Sequence, residues 1–268
     1  TNALYLTFSS LLKPGDTMIS LTGTPYDSLQ EMIGLCGDST QSLKAHGVKY
    51  EQIDLIDNEF DEEKIVNRLK ENNVKLVEIQ RSRGYATRRS LTMDKIKRAI
   101  EAVREVNKDV IIMVDNCYGE FVDDIEPVDV GADFMVGSLI KNMGGGLAPN
   151  GAYIVGKKKY IELCAERLTA PGQGKEVGPS LGINKNFLQG IYMAPSVVAS
   201  SLKTAVFTSR LLEKLGYDVV PRFDEKIEET PGINKAVTTK DLAADMAEAK
   251  EDSRAEALLT PRNWEHKE

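Results

Sequence analysis

The chain has only three cysteines, two histidines and one tryptophan in 268 residues, and each shortage removes a class of function. Cys36, Cys117 and Cys164 are far apart, odd in number and outside any metal-type spacing. They read as the reduced thiols of a cytoplasmic protein, not as a disulfide framework or a zinc site. His46 precedes an expected strand and His266 lies in a polar tail. Two histidines so placed argue against a multi-histidine metal centre or a Ser-His-Asp triad, and no metal is expected. No apolar run is long enough to cross a bilayer and no stretch reads as a signal peptide, so no membrane partner is expected. The formal net charge is −7, with both signs mixed along the chain. No basic face is visible, so nucleic acid is not an expected partner.

What is present is a globular pattern: 41% hydrophobic and 28% charged residues. That is enough for one core of roughly 200 residues plus extra elements. The chain starts at Thr1 and runs at once into a helix-like stretch, Ala3–Leu12, so the natural start is expected upstream. Strands are expected at Thr17–Thr22, Val48–Leu55, Lys75–Ile79, Val110–Asp115, Asp133–Gly137 and Ala152–Gly156. Between them Asp61 can cap a helix carrying Ile65 and Leu69, and Thr92 one carrying Ile96, Ile100 and Val103. Such alternation predicts an α/β fold, helices packed over a mainly parallel sheet. The run Val110–Val114 is apolar at every position, as a strand covered on both faces must be.

After Gly156 the pattern is helical only. Lys158–Leu168 is amphipathic, Gly172–Gly178 is a glycine-rich loop, and Ala194–Leu215 reads as one long helix with Pro195 in its first turn. Gly216 is a natural stop, and Tyr217–Val220 is a possible strand start. From about Asn234 the chain is a charged, alanine-rich tail with no sheet-building pattern, expected to be solvated or disordered.

Two strand ends carry the chemistry. One is Val114-Asp115-Asn116-Cys117-Tyr118, an acid closing an apolar strand. The other is Gly137-Ser138-Leu139-Ile140-Lys141-Asn142, followed by Gly144, Gly145 and Gly146. Ligands of open parallel sheets gather where strands end. A lysine amine condenses with an aldehyde to a Schiff base. A carboxylate beside a pyridine nitrogen keeps that nitrogen protonated, so the ring draws electrons from a substrate carbon. Ser138 can donate to a phosphate, and the helix start Thr1-Asn2-Ala3 can hold one with backbone N–H groups. Tyr26, just past the first strand, can stack on a ring. The constellation suits pyridoxal 5'-phosphate.

Each residue also has a bland reading. Asp115 could cap the next helix, Ser138 could be a turn residue, Tyr26 could pack at a helix start, and Thr1 could fray. Arg81 and Arg83 could form a solvated cationic loop. Cys117, with no histidine beside it, is read as a small packing residue. The three glycines follow the lysine instead of opening the first strand-helix turn. They are not a dinucleotide fingerprint and let the backbone turn closely after Lys141. A Schiff-base aldolase barrel also uses a strand-end lysine, but the helical stretch after Gly156 breaks an eightfold alternation.

The segments Leu12–Asp16, Thr22–Asp27, Val114–Asn116 and Gly137–Lys141 resemble fold-type I pyridoxal-phosphate enzymes of cysteine and methionine metabolism. Gln80–Tyr85, Asp115–Glu120 and Gly144–Ile154 resemble more closely the methionine gamma-lyase-like family known as aluminium resistance protein. The resemblance runs in order from Thr1 to about Glu229. It implies a fold like aspartate aminotransferase: a cofactor-binding large domain over 1–195, the long helix and the start of an incomplete small domain over 196–233, and the divergent tail over 234–268. It implies that Lys141 carries the cofactor and is catalytic with Asp115, which pairs with the pyridine nitrogen. It places Ser138, Thr1 and Asn2 at the phosphate, Tyr26 against the ring, and Arg81, Ser82 and Tyr118 toward the substrate.

The implied activity is elimination at a carbon–sulfur bond of an amino-acid substrate, in a homodimer or homotetramer with sites at the interface. Two departures count against full activity. The region after Ile233 does not resemble the family's C-terminal domain, which in related lyases supplies an arginine for the substrate carboxylate. The N-terminal segment that completes a neighbouring subunit's site is absent from this sequence. The alternative is a catalytically incomplete binding or assembly module of the same fold.

Overall fold

The computed structural model describes residues 1–71, 73–84, 86, 88–176, 182–224 and 255–260. In chain order its elements are α1 (Asn2–Leu11), β1 (Thr17–Ser20), α2 (Asp27–Ile33), β2 (Lys49–Gln52), α3 (Glu62–Leu69) and β3 (Val74–Gln80). There follow α4 (Met93–Val106), β4 (Ile111–Asp115), β5 (Phe134–Ser138), β6 (Ala152–Lys157), α5 (Lys158–Leu168), α6 (Asn184–Lys214) and β7 (Ala255–Thr260). They build one sheet in the order β2-β1-β3-β4-β5-β6-β7. The strands from β2 to β5 run parallel, and β6 and β7 join antiparallel. This is the expected α/β architecture.

The parallel register assigns the apolar residues to two faces with a period of two. Met18, Leu76, Met113 and Phe134 share one face with Leu4 and Phe8 of α1 and Ile161 of α5. Ile19, Val77, Ile112 and Val114 share the other with Ile65 of α3 and Ile96, Ile100 and Val103 of α4. β4 lies between these layers and is buried at all five positions, which is why its sequence does not alternate. Burying one such Ile or Leu stabilises by roughly 1.5–3 kcal/mol. Both expected caps are present: Asp61 Oδ1 accepts from Lys64 N at 3.0 Å and Thr92 Oγ1 from Lys95 N at 3.4 Å.

The C-terminal third departs from expectation in three places. The long helix starts at Asn184, ten residues before Ala194, so Pro195 lies in its interior and not its first turn. A proline there removes one intrahelical donor, but Phe187, Gly190, Ala194 and Val198 anchor that stretch by burial. Residue 195, the expected end of the cofactor-binding unit, is therefore inside a continuous helix. Tyr217–Val220 forms no strand. The tail, expected to contribute nothing to the sheet, supplies β7, whose Ala255–Thr260 pairs with the whole of β6. The free edge of β6 offered unpaired backbone groups, a long-range demand that the tail's composition does not reveal. The expectations for residues 225–254 and 261–268, including Trp264 and His266, lie outside the described residues. Among the described residues no helix is long and apolar enough to cross a membrane.

Ile112 is completely buried in the central strand. Ile112→Ala is expected to lower unfolding free energy by about 2–5 kcal/mol and Thr92→Ala by about 1 kcal/mol, both read from urea denaturation. Equal, small effects for the two would contradict this division of labour.

Candidate functional site

Because β1, β3, β4 and β5 are parallel, Ser20, Gln80, Asp115 and Ser138 all end at one edge of the sheet. The chain passes from β1 to β2 on one side, and β3 lies on β1's other side. Such a switch point opens a crevice above the strand ends. The segments that follow these strands fill its rim.

Asp115 is 3% exposed. Its Oδ1 accepts from Cys117 N at 3.1 Å, and its backbone carbonyl accepts from Arg81 N at 3.0 Å. Burial pushes its pKa up, opposed by the Cys117 hydrogen bonds and the Lys141 charge. The cap reading is thus partly realised, since one oxygen serves the next turn. No cation forms an ion pair with it among the described residues.

Lys141 precedes a single 3-10 turn, Asn142–Gly144. Its Nζ lies 4.3 Å from the Tyr118 ring centroid. Burial pulls the amine's pKa down, but the surrounding Cys117, Tyr118 and Asp115 outweigh it, and the pKa lies above the ordinary lysine value. Lys141 and Asp115 thus feel each other's charge, and the backbone N–H of Cys117 is the group that donates to the acid. Cys117 itself is pushed up to about 12, mainly by burial and the Asp115 charge, and is a neutral thiol at physiological pH. Gly144 must lack a side chain, because a Cβ there would overlap the Leu139 carbonyl oxygen. The close turn expected after the lysine is present.

The helix α1 starts at the same crevice. Thr1 is its N-cap residue without a side-chain cap bond. Its Oγ1 instead lies 3.2 Å from Tyr26 Oη and 2.9 Å from Ser28 Oγ. Asn2 is exposed in the first turn. Tyr26 is the N-cap residue of α2, its backbone N donating to Gln80 Oε1 at 3.1 Å. Its pKa is raised, first by burial and also by the charges of Asp115 and Cys117. Ser138 Oγ accepts from Ile140 N at 3.2 Å, the turn role. Ser82 offers its carbonyl to Gln80 Nε2 at 2.9 Å and to Arg88 Nη2 at 2.6 Å.

Arg81 is not a solvated loop residue. It is 4% exposed, bonds Asn116 Oδ1 at 3.0 Å and the Gly119 carbonyl at 3.1 Å, and pairs with Asp123. It clamps the turn 116–126, in which Tyr118 and Phe121 take positive φ of 68° and 61°. Such backbone is costly for bulky residues and persists only where the surroundings enforce it. Tyr118, 58% exposed, is thereby held beside Lys141.

Under that turn Glu120 is fully buried. Tyr153 Oη donates to its Oε1 at 2.6 Å, while Oε2 has no hydrogen-bond partner. A cleft of about 300 Å³ opens beside Tyr118, bounded by Arg81, Ser82, Arg83, Cys117 and Leu202. Gln80, Ser28 and Glu120 were not singled out from sequence. Gln80 carried a signal in its place beside Arg81 at a strand end, and Ser28 in the first turn of a helix following Tyr26. Glu120 carried none.

This geometry coincides with what similarity shows. The family model for methionine gamma-lyase matches residues 1–266. The chain belongs to that family. The uncharacterized protein YnbB of Bacillus subtilis strain 168 is 47% identical over 228 residues, 84% of this chain and 54% of its own length. A carbon-sulfur lyase involved in aluminium resistance from Clostridium novyi NT superposes with a TM-score of 0.79 at 45% identity, over 83% of this chain and 53% of that one. The pyridoxal-5'-phosphate-dependent protein YhfS from Escherichia coli shares the fold, with a TM-score of 0.57 at 17% identity over 80% of this chain and 51% of that one. The chain thus spans about half the length of these relatives.

Two measurements check the site. Arg81→Ala is expected to cost about 3–5 kcal/mol in urea unfolding, because it breaks a buried charge cluster; Arg81→Lys recovers little, lacking the planar fork. Glu120 is pushed up to about 7, first by burial. Its folded pKa exceeds the unfolded one, so the folded state binds the extra proton between them and stability falls as pH rises from about 4.5 to 7. Glu120→Gln should flatten that fall in melting temperature; an unchanged slope would show that Glu120 does not titrate there.

Proposed function

We propose that the chain binds pyridoxal 5'-phosphate and serves elimination at a carbon–sulfur bond of a sulfur-containing amino acid. The observation that supports this most is the meeting of Lys141 and Asp115 in one crevice, the acid buried and forming no direct ion pair among the described residues. The donor set suits the group: a primary amine, a dry carboxylate for a pyridine N–H, and an uncapped helix start with free N–H groups for an anion. Pyridoxal phosphate, when bound, supplies an aldehyde for an amine and an electron sink for charge developing at a substrate α-carbon.

In this reading Lys141 Nζ holds the cofactor and takes the proton from the substrate Cα. Asp115 keeps the pyridine nitrogen protonated, at low local dielectric where its charge acts strongly. Thr1, Asn2 and Ser138 bind the phosphate, with Ser28 joining through Thr1. Tyr26 orients the ring. Tyr118 stays against the lysine, beside the cleft bounded by Arg81 and Ser82 that receives substrate. The family's description and the Clostridium novyi lyase support the sulfur chemistry. The same reading includes a cytoplasmic protein assembled as a homodimer or homotetramer. The exposed Ile140 (61%) and Tyr118 (58%) beside Lys141 suit cover by another copy. A second reading is cofactor binding in the same crevice without turnover.

Protein mixed with pyridoxal phosphate should gain a visible absorption band, and borohydride should fix the cofactor on Lys141. Lys141→Ala should remain colourless, and a borohydride-fixed adduct on that variant would contradict the assignment. Steady release of thiol and 2-oxo acid from methionine or cystathionine eliminates the second reading, while colour without release favours it.

A further inference from the structure

Glu78 is the buried acid that the reading above leaves unused. It lies in the middle strand β3 and is 1% exposed, and neither carboxylate oxygen has a hydrogen-bond partner. Glu78 pairs with Met113 and Gln80 with Asp115 across the β3–β4 ladder. With side chains alternating along a strand, Glu78 and Asp115 occupy one face as diagonal neighbours. The groups facing Glu78 come from every adjoining element. They are Ser20 and, two residues on, Thr22 after β1, Tyr50 of β2, Asp115 of β4 and Arg88 of the loop after β3. The Arg88 Nη2 group is committed to the Gln80 and Ser82 carbonyls, at 2.8 and 2.6 Å. Tyr50 is held well above the ordinary tyrosine value, first by burial and then by Glu78, and stays neutral.

A strand-centre carboxyl with no partner is expensive to keep, and most such positions carry an apolar residue. Two carboxyl groups on one face of a dry layer, with their charges coupled, cannot both ionise freely. Asp115 has a backbone N–H and the Lys141 charge to stabilise its anion; Glu78 has only the Ser20 hydroxyl and the Arg88 charge, which its burial outweighs.

We propose that Glu78 and Asp115 form one charge-coupled acid pair in which Glu78 keeps its proton, leaving Asp115 anionic toward the pyridine nitrogen. Glu78 is thus a positioning residue for charge. It never touches substrate, and it sets how firmly Asp115 holds the nitrogen's proton. Burial and the Asp115 charge push Glu78 up to about 7, so it passes from neutral to anionic near physiological pH. Above that point its negative charge adds to that of Asp115 and the nitrogen's proton is held more tightly. The cofactor half of this inference rests on the proposed function; the coupling of the two acids does not.

The experiment uses the full chain with and without pyridoxal phosphate. Without it, infrared difference titration of wild type against Glu78→Gln follows the neutral carboxyl band of Glu78. A midpoint near 7 is expected, moving down by about one pH unit in Asp115→Asn as the neighbouring charge is removed. With cofactor, the visible band of wild type should titrate near neutral pH, that of Glu78→Gln should not, and Glu78→Asp should restore a titration. The proposal is overturned if the midpoint ignores Asp115→Asn, or if the band of Glu78→Gln titrates as in wild type. If wild type gains no visible band at all, the cofactor reading fails while the infrared arm still decides the acid pair. Should Glu78→Gln not fold, the shift is read in wild type and Asp115→Asn alone.

Discussion

A carboxylate held dry at the end of an apolar strand is the constraint around which this molecule is arranged. Asp115 is out of water because β4 is covered on both faces and because α1 and the turn 116–126 close over its end. The energetic cost of that burial is partly offset by the Cys117 backbone N–H and by the charge of Lys141. The lysine is in place through the parallel register that brings the ends of β4 and β5 together.

The same constraint explains the strain beside it. The turn after β4 must reverse direction within a few residues while Arg81 and Glu120 hold it from below. Tyr118 and Phe121 take left-handed backbone as a result. Glycine would adopt that backbone more easily, but would give up the ring that Lys141 approaches. Stability is concentrated elsewhere. At the opposite end of the sheet Asp133 ties Arg104 and Lys157 at 2.6 Å each and accepts from Ile112 N at 2.7 Å. There the buried acid has a cation on each of its oxygens. The crevice is the place where buried acids outnumber their partners, as functional sites commonly arrange.

The six strands, both capped helices and the strand-end residues could be read from the chain because local rules govern them. Alternation, apolar runs and side-chain caps act over a few residues. Pro195 misled for the same reason: locally it marks a helix start, whereas burial of Phe187 and Gly190 extends the helix through it. The tail strand was invisible because its stability comes from β6, about 100 residues earlier. Arg81 was open to two readings, substrate-facing or a solvated loop cation, because nothing nearby in sequence announces Asn116 or Asp123.

Residue types and their order determined the α/β class and set Lys141 and Asp115 at or just after neighbouring strand ends. Those features follow from periodicity and from chemistry that one side chain carries alone. Tertiary structure decided the rest: that the charges of Lys141 and Asp115 couple, that Arg81 is locked beneath a turn, and that Glu78 and Glu120 lose their solvent. Burial and charge coupling depend on which distant segments meet, and their strength falls steeply with distance and with water. No local pattern in the chain encodes them.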